Sequence, residues 1–143
     1  MGAQAHKDAI EAAVELWNAH DERYFELYTE DAASHGLPPD VPPNVDGLRG
    51  MFRQMWSAFP DIRIETQRLI VEGDLTAIHV RIRGTHEGEF MGAAPTGKEI
   101  DVQAMAFLRF GSAGKVVERW TRLDEMALLT QLGLMPAPAA TSA

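Results

Sequence analysis

Apolar positions recur every three to four residues over residues 7 to 59 and then, from residue 61, switch toward every second residue. "KDAIEAAVELWNAHD" sets Ile10, Val14 and Trp17 on one face with Ala13 beside them, which predicts an amphipathic helix. "DERYFELYTED" brings Tyr24, Phe25, Leu27 and Tyr28 together as a short second helix. "ASHGLPPDVPPN" cannot continue it, because its four prolines lack an N–H and push their neighbours toward extended backbone. "VDGLRGMFRQMWSAFP" then carries Leu48, Met51, Phe52, Met55, Trp56 and Phe59 as a third helical stripe, closed by Pro60, with Asp46 the expected N-cap.

The second half reads as strands. "DIRIETQRLIVEGD" alternates before breaking into Leu69-Ile70-Val71, and "EGD" is a turn. "LTAIHVRIRG" puts Ile78, Val80 and Ile82 on one face and His79, Arg81 and Arg83 on the other. "IDVQAMAFLRF" is apolar on both faces, "GSAG" is a hairpin turn, and "KVVERWTRLD" is the last strand. "EMALLTQLG" is a terminal helix stopped by Gly133. Helices first and an antiparallel-type sheet afterwards is an α+β order. Such a sheet, curved and wrapped by helices, leaves an apolar concavity suited to a small ligand. Residues 1–133 are expected to form one domain and 134–143 a disordered tail. The two-sided apolar strands predict a homodimer or higher oligomer through the outer face of the sheet.

The 143-residue length fits one domain with a real core. A net charge of −8, from 21 acids against 13 bases, argues against nucleic acid, which needs a basic face. There is no cysteine, hence neither disulfide framework nor thiolate chemistry. No apolar run is long enough to span a bilayer, and "MGAQAHKDAI" lacks the apolar core of a signal peptide, so the expected address is cytoplasmic with no membrane partner. The histidines are scattered, which gives little support to a metal site.

One stretch is too long and too polar for an ordinary hairpin: "RGTHEGEFMGAAPTGKEI", residues 83 to 100. With "AFPDIRIE", "EGD", "GKVVERW" followed by "LD", and "LLTQLG", it closely resembles the SnoaL-like polyketide cyclases, or ester cyclases, of the nuclear-transport-factor-2-like (NTF2-like) superfamily. The match spans about residues 58 to 133, and the G-T-H-x-G-E-F-x-G-x-x-P-T-G-K string is specific. The resemblance implies a cone: a curved mixed sheet wrapped around a pocket by about three N-terminal helices, a cystatin-like α+β barrel. It also implies an enzyme free of cofactor and metal. That enzyme would close the last ring of an aromatic polyketide ester by intramolecular aldol condensation, with a hydrophobic small molecule as substrate.

On the same resemblance Asp124 is the first choice for acid/base, with His86 or Arg122 steadying the enolate oxygen. Asp124 could equally cap the terminal helix, and His86 could equally hold its own loop. His35, Trp17, Met51, Met55, Trp56, Gln103, Met105 and Trp120 are the expected substrate contacts. His79 is expected to be solvated, and His6 and His20 carry no signal. Three positions depart from the family pattern. Thr121 stands where members often carry an acid directly after the Trp, and Ala104 and Ala106 stand where they tend to have Gly and Asp. Other chemistries on the same scaffold stay open: an isomerase, a hydroxylase-like enzyme or an epoxide hydrolase, or a non-catalytic binding protein.

Overall fold

A computed structural model of the chain describes residues 2–136. The segment expected as a tail, 134–143, lies outside the described residues from 137 onward. Helix α1 (Ala3–Asn18) buries Ile10, Ala13 and Trp17 of the predicted stripe, leaves Val14 half-buried, and adds His6. A six-residue 3-10 turn (Glu22–Leu27) follows and buries Tyr24 and Phe25. Strand β1 (Tyr28–His35) comes next, then helix α2 (Val45–Ala58). Strands β2 (Arg63–Glu72), β3 (Leu75–Thr85), β4 (Glu99–Phe110) and β5 (Val116–Leu123) lead to helix α3 (Glu125–Leu132).

The five strands form one sheet in the order β1-β5-β4-β3-β2. All neighbours are antiparallel except β1 and β5, which run parallel. The architecture is therefore the expected α+β cone, a mixed curved sheet with helices N-terminal to it. Three details differ from expectation. The second helix is only the short 3-10 turn, and residues 28–35 are a strand. Their Glu-Asp-Ala-Ala composition favours helix, but pairing with β5 overrides local preference. Glu30 and Asp31 sit exposed where the register shifts between Tyr28 and Ala33. The cap of α2 is Asn44, whose side chain accepts from the Gly47 N–H at 3.0 Å, while Asp46 lies inside the first turn and pairs with Arg49.

Register assigns the two faces of the sheet. Ile78 is opposite Ala106, which is opposite Thr121, and Val80, Ala104 and Leu123 form a second row. These rows face the helices. Tyr24, Phe25, Phe52 and Trp56 pack edge-on and tilted around Trp17 across the gap, with Trp17 5.6 Å from Phe52 and 5.8 Å from Trp56. Each aromatic ring so buried contributes on the order of 1.5–3 kcal/mol. Ala104 and Ala106 are the smallest side chains in the middle of the concave face, so the helices and the sheet do not close on each other there.

The long connection between β3 and β4 is anchored rather than loose. His86 N–H donates to Lys98 C=O, and Gly97 N–H donates to His86 C=O, both at 2.9 Å. The N–H groups of Glu87 and Gly88 both reach the Ala58 carbonyl at the end of α2, at 3.0 Å. Gly88 approaches so closely that a Cβ there would lie 2.5 Å from the Ser57 carbonyl oxygen. No helix among the described residues is long and apolar enough to cross a membrane.

Candidate active site

A cavity of about 790 Å³ fills the space between α1, α2 and the concave face. Its walls are almost wholly apolar. Trp17, Met51 and Met55 line it as expected, joined by Phe52, Phe59 and Phe90. Among the lining residues that are also exposed, Gly36, Pro38, Pro39, Asp40, Gln54, Met91 and Glu125 mark the mouth. The proline-rich loop and the tip of the β3–β4 connection thus face one another across the opening. That is the local reason for two such unusual segments.

Only a few polar groups reach inside. Tyr24 and Tyr28 line the cavity with their hydroxyls 2.7 Å apart. Burial, the neighbouring Tyr28 and their shared hydrogen bond push the Tyr24 phenol well above its ordinary range, and the positive charge of Arg119 only partly opposes this. The Tyr24 hydroxyl therefore acts as a neutral hydrogen-bond group. Thr121, on β5, donates its Oγ1 hydrogen to the Met105 carbonyl at 3.3 Å.

Arg119 is the feature that the sequence reading missed. It is only 9% exposed, its guanidinium lies 5.6 Å from the Phe52 ring, and it lines the cavity. Its Nη1 is buried with no hydrogen-bond partner, and no ion pair among the described residues includes it. A buried guanidinium almost always has a carboxylate. Here the carboxylates that border the cavity, Asp40 and Glu125, are both exposed at the mouth.

The expected catalytic residues fall elsewhere. Asp124 is exposed and caps α3, accepting the Ala127 N–H at 3.1 Å, and it does not line the cavity. Of its two readings the geometry supports the cap. His86 is fully buried under its loop, where Thr96 holds Nδ1 through its N–H at 3.2 Å and its hydroxyl at 2.9 Å, packed near Phe59 and Phe90. Arg122 is exposed and donates to the Thr121 carbonyl.

Several expected substrate contacts lie on the outer face of the sheet, because β4 and β5 have the opposite parity from the expected one. Trp120 stacks on His35 at 5.4 Å, and His35 pairs with Glu118 at 2.7 Å, outside the cone. Gln103 is exposed and bonds His79, which is half-buried rather than free. Met105 borders the cavity but is 60% exposed on the outer face, beside Phe107. Trp56 is buried against Trp17 and His20 without lining the cavity. Ala104, Ala106 and Thr121, the three departures from the family pattern, all do line it. Among the described residues no group of three His, Asp or Glu side chains is placed to hold a metal ion.

Comparison with known proteins places this geometry. The profile of a family described as SnoaL-like polyketide cyclase matches residues 7–132. No curated protein sequence matches the chain. Among solved structures it resembles AclR, a candidate hydroxylase from Streptomyces galilaeus, at 28% identity over 96% of this chain and 87% of that one, with a TM-score of 0.87. It also resembles IdmH, a candidate polyketide cyclase from Streptomyces antibioticus, at 33% identity over 90% of this chain and 98% of that one, with a TM-score of 0.77. A candidate polyketide cyclase from Bacillus cereus is 28% identical over 93% of this chain and 83% of that one, with a TM-score of 0.79.

Proposed function

As the match over residues 7–132 establishes, the chain belongs to the SnoaL-like polyketide cyclase family, and we propose that it closes a ring in an aromatic polyketide ester by intramolecular aldol condensation. The observation that carries this reading is Arg119, whose Nη1 is buried without a hydrogen-bond partner in a predominantly apolar cavity. Aldol closure removes a proton from a carbon flanked by carbonyls, spreads the charge onto oxygen, and forms a carbon–carbon bond to a second carbonyl. Arg119 supplies a fixed positive charge for the enolate oxygen, and the Tyr24–Tyr28 pair supplies a neutral hydrogen-bond donor beside it. In a water-poor cavity such preorganised donors stabilise the transition state strongly. Asp40 and Glu125 at the mouth are the proton acceptors available to the substrate's exposed edge. The apolar walls fold the chain of the substrate so that nucleophile and carbonyl meet.

A second reading, hydroxylation by dioxygen at the same activated carbon, is favoured by Thr121 and Ala106, which put no acid in the middle of the cavity to return the proton to a new alkoxide; the enolate carbon adds dioxygen to give a hydroperoxide, and an external two-electron reductant such as a thiol cleaves its O–O bond to the alcohol and water. Both reactions begin with the same enolate. Mass spectrometry of products from a three-ring aromatic ester bearing a β-keto side chain separates them. Ring closure gives an isomer of the substrate, or that isomer less water. A product that has gained one oxygen atom overturns ring closure, and no product at all removes both readings.

The assembly belongs to the same proposal. Met105, Phe107 and Ile70 are 60%, 52% and 62% exposed on the sheet, a cluster that a second copy would cover. Light scattering is expected to give a mass near twice 15.8 kDa, and a monomer mass at micromolar concentration would remove the dimer.

A further inference from the structure

The charge at Arg119 also constrains what form of ligand the cavity takes. A buried guanidinium without a counter-charge is strongly disfavoured, and a single partner that restores neutrality is correspondingly favoured. The elements around it supply no counter-charge. The 3-10 turn and β1 present the hydroxyls of Tyr24 and Tyr28, and β1 sets Ser34 beside Arg119 with its Oγ buried and without a partner. Helix α2 presents the Phe52 ring. Among the described residues, α1 and β4 present only apolar side chains to the cavity. Asp40 and Glu125 are exposed at the mouth and carry no ion pair to Arg119. The missing negative charge has to come from the occupant.

The hydroxyl pair adds direction. Whichever of Tyr24 and Tyr28 donates across their 2.7 Å contact, the other keeps its hydrogen, and both line the cavity. Arg119 and Tyr24 both pack on Phe52, each 5.6 Å from its ring centre, which sets the cationic donor and the hydroxyl pair on the same stretch of cavity wall. The remaining walls offer flat aromatic and aliphatic surface with few acceptors.

We propose that the cavity is a receptor for an ionised hydroxyaryl or enol: a planar aromatic held as its oxyanion, with that oxygen against the Arg119 guanidinium and the free hydrogen of the Tyr24–Tyr28 pair. This deepens the ring-closing reading, since it rests on the same site and makes the substrate's acidic oxygen the group recognised before any bond changes. Binding releases a proton, so affinity rises with pH until the free ligand is itself ionised. A neutral ether of the same shape loses the recognition and keeps only the apolar contact.

The test uses 2-hydroxyanthraquinone, whose phenol and phenolate absorb at different wavelengths, and its methyl ether. Spectrophotometric titration with the intact protein is expected to show the bound phenol ionising about one pH unit or more below the free one, as for groups beside a single opposite charge. The methyl ether is expected to bind at least about tenfold more weakly, the affinity equivalent of one such unit. Arg119→Lys should retain part of the shift, and Arg119→Met should abolish or reverse it, because burial alone disfavours the anion. An unshifted or raised ionisation in the wild-type protein overturns the proposal without any variant having to fold, and so does equal binding of the ether. Failure of ring closure on the ester, with the spectral shift intact, would remove the cyclase reading and leave the receptor standing.

Discussion

Replacing Arg119 with methionine is expected to lower turnover of a ring-closing ester by about 10²–10³-fold, the effect of removing one preorganised oxyanion donor. The substitution keeps an unbranched apolar stem and removes the guanidinium that lies 5.6 Å from the Phe52 ring centre. It also deletes a buried charge that has no partner among the described residues, so thermal stability should be unchanged or higher, as when buried ionic groups are replaced by apolar ones of similar size. Loss of activity with gain of stability is the signature of a functional residue rather than a structural one. Lysine at the same position keeps the charge without the planar fork and should recover only part of the rate. The contrasting control is Asp124→Ala. It removes the α3 cap at 3.1 Å from Ala127 N and should cost about 1 kcal/mol of stability, with turnover held within tenfold. Steady-state rates beside circular dichroism of each variant decide the matter. A folded Arg119→Met protein that keeps more than a tenth of the parent rate would show that Arg119 does not stabilise the transition state.

Gly36→Ala is expected to destabilise the fold by at least about 3 kcal/mol, since left-handed strain and a backbone clash add. Gly36 ends β1 and opens the proline-rich wall of the mouth, with φ at 93°. An added Cβ would stand 2.2 Å from the Thr121 carbonyl oxygen and 2.6 Å from Arg122 Nη1. The exposed Arg122 side chain can swing aside, but the Thr121 carbonyl cannot give way easily, because it belongs to the backbone of β5. A melting temperature lower by roughly 10 °C follows for a chain of this length. A change below 1 kcal/mol in chemical denaturation would mean that β1 can swing away from β5 without penalty.

The helical stripes of α1 and α2 and the alternation of β3 were legible, because each has one buried face and one polar face. Strand β1 was not, since Glu30 and Asp31 break its alternation and its partner lies almost at the other end of the chain. The family resemblance was legible from the β3–β4 connection, but the site was not. In β4, Met105 and Phe107 are larger and more apolar than Ala104 and Ala106, so hydrophobicity alone points the wrong pair inward. In β5 a register shift near residue 117 breaks the count of two. Val116 is buried, and then Arg119 and Thr121, with Leu123 half-buried. Counting from Trp120 selects the outer face and passes over Arg119. The available signal was its spacing of two and four from Thr121 and Leu123, an arginine in step with the inward row.

Parallel pairing of β1 with β5 sets Ser34 beside Arg119 although most of the chain separates them. Loop-closure entropy makes such a contact late. As the chain leaves the ribosome, Tyr24 and Tyr28 emerge early and wait, while Arg119 is made near the end. The ligand corner is thus assembled by the final strand to arrive, and no shorter nascent chain contains it.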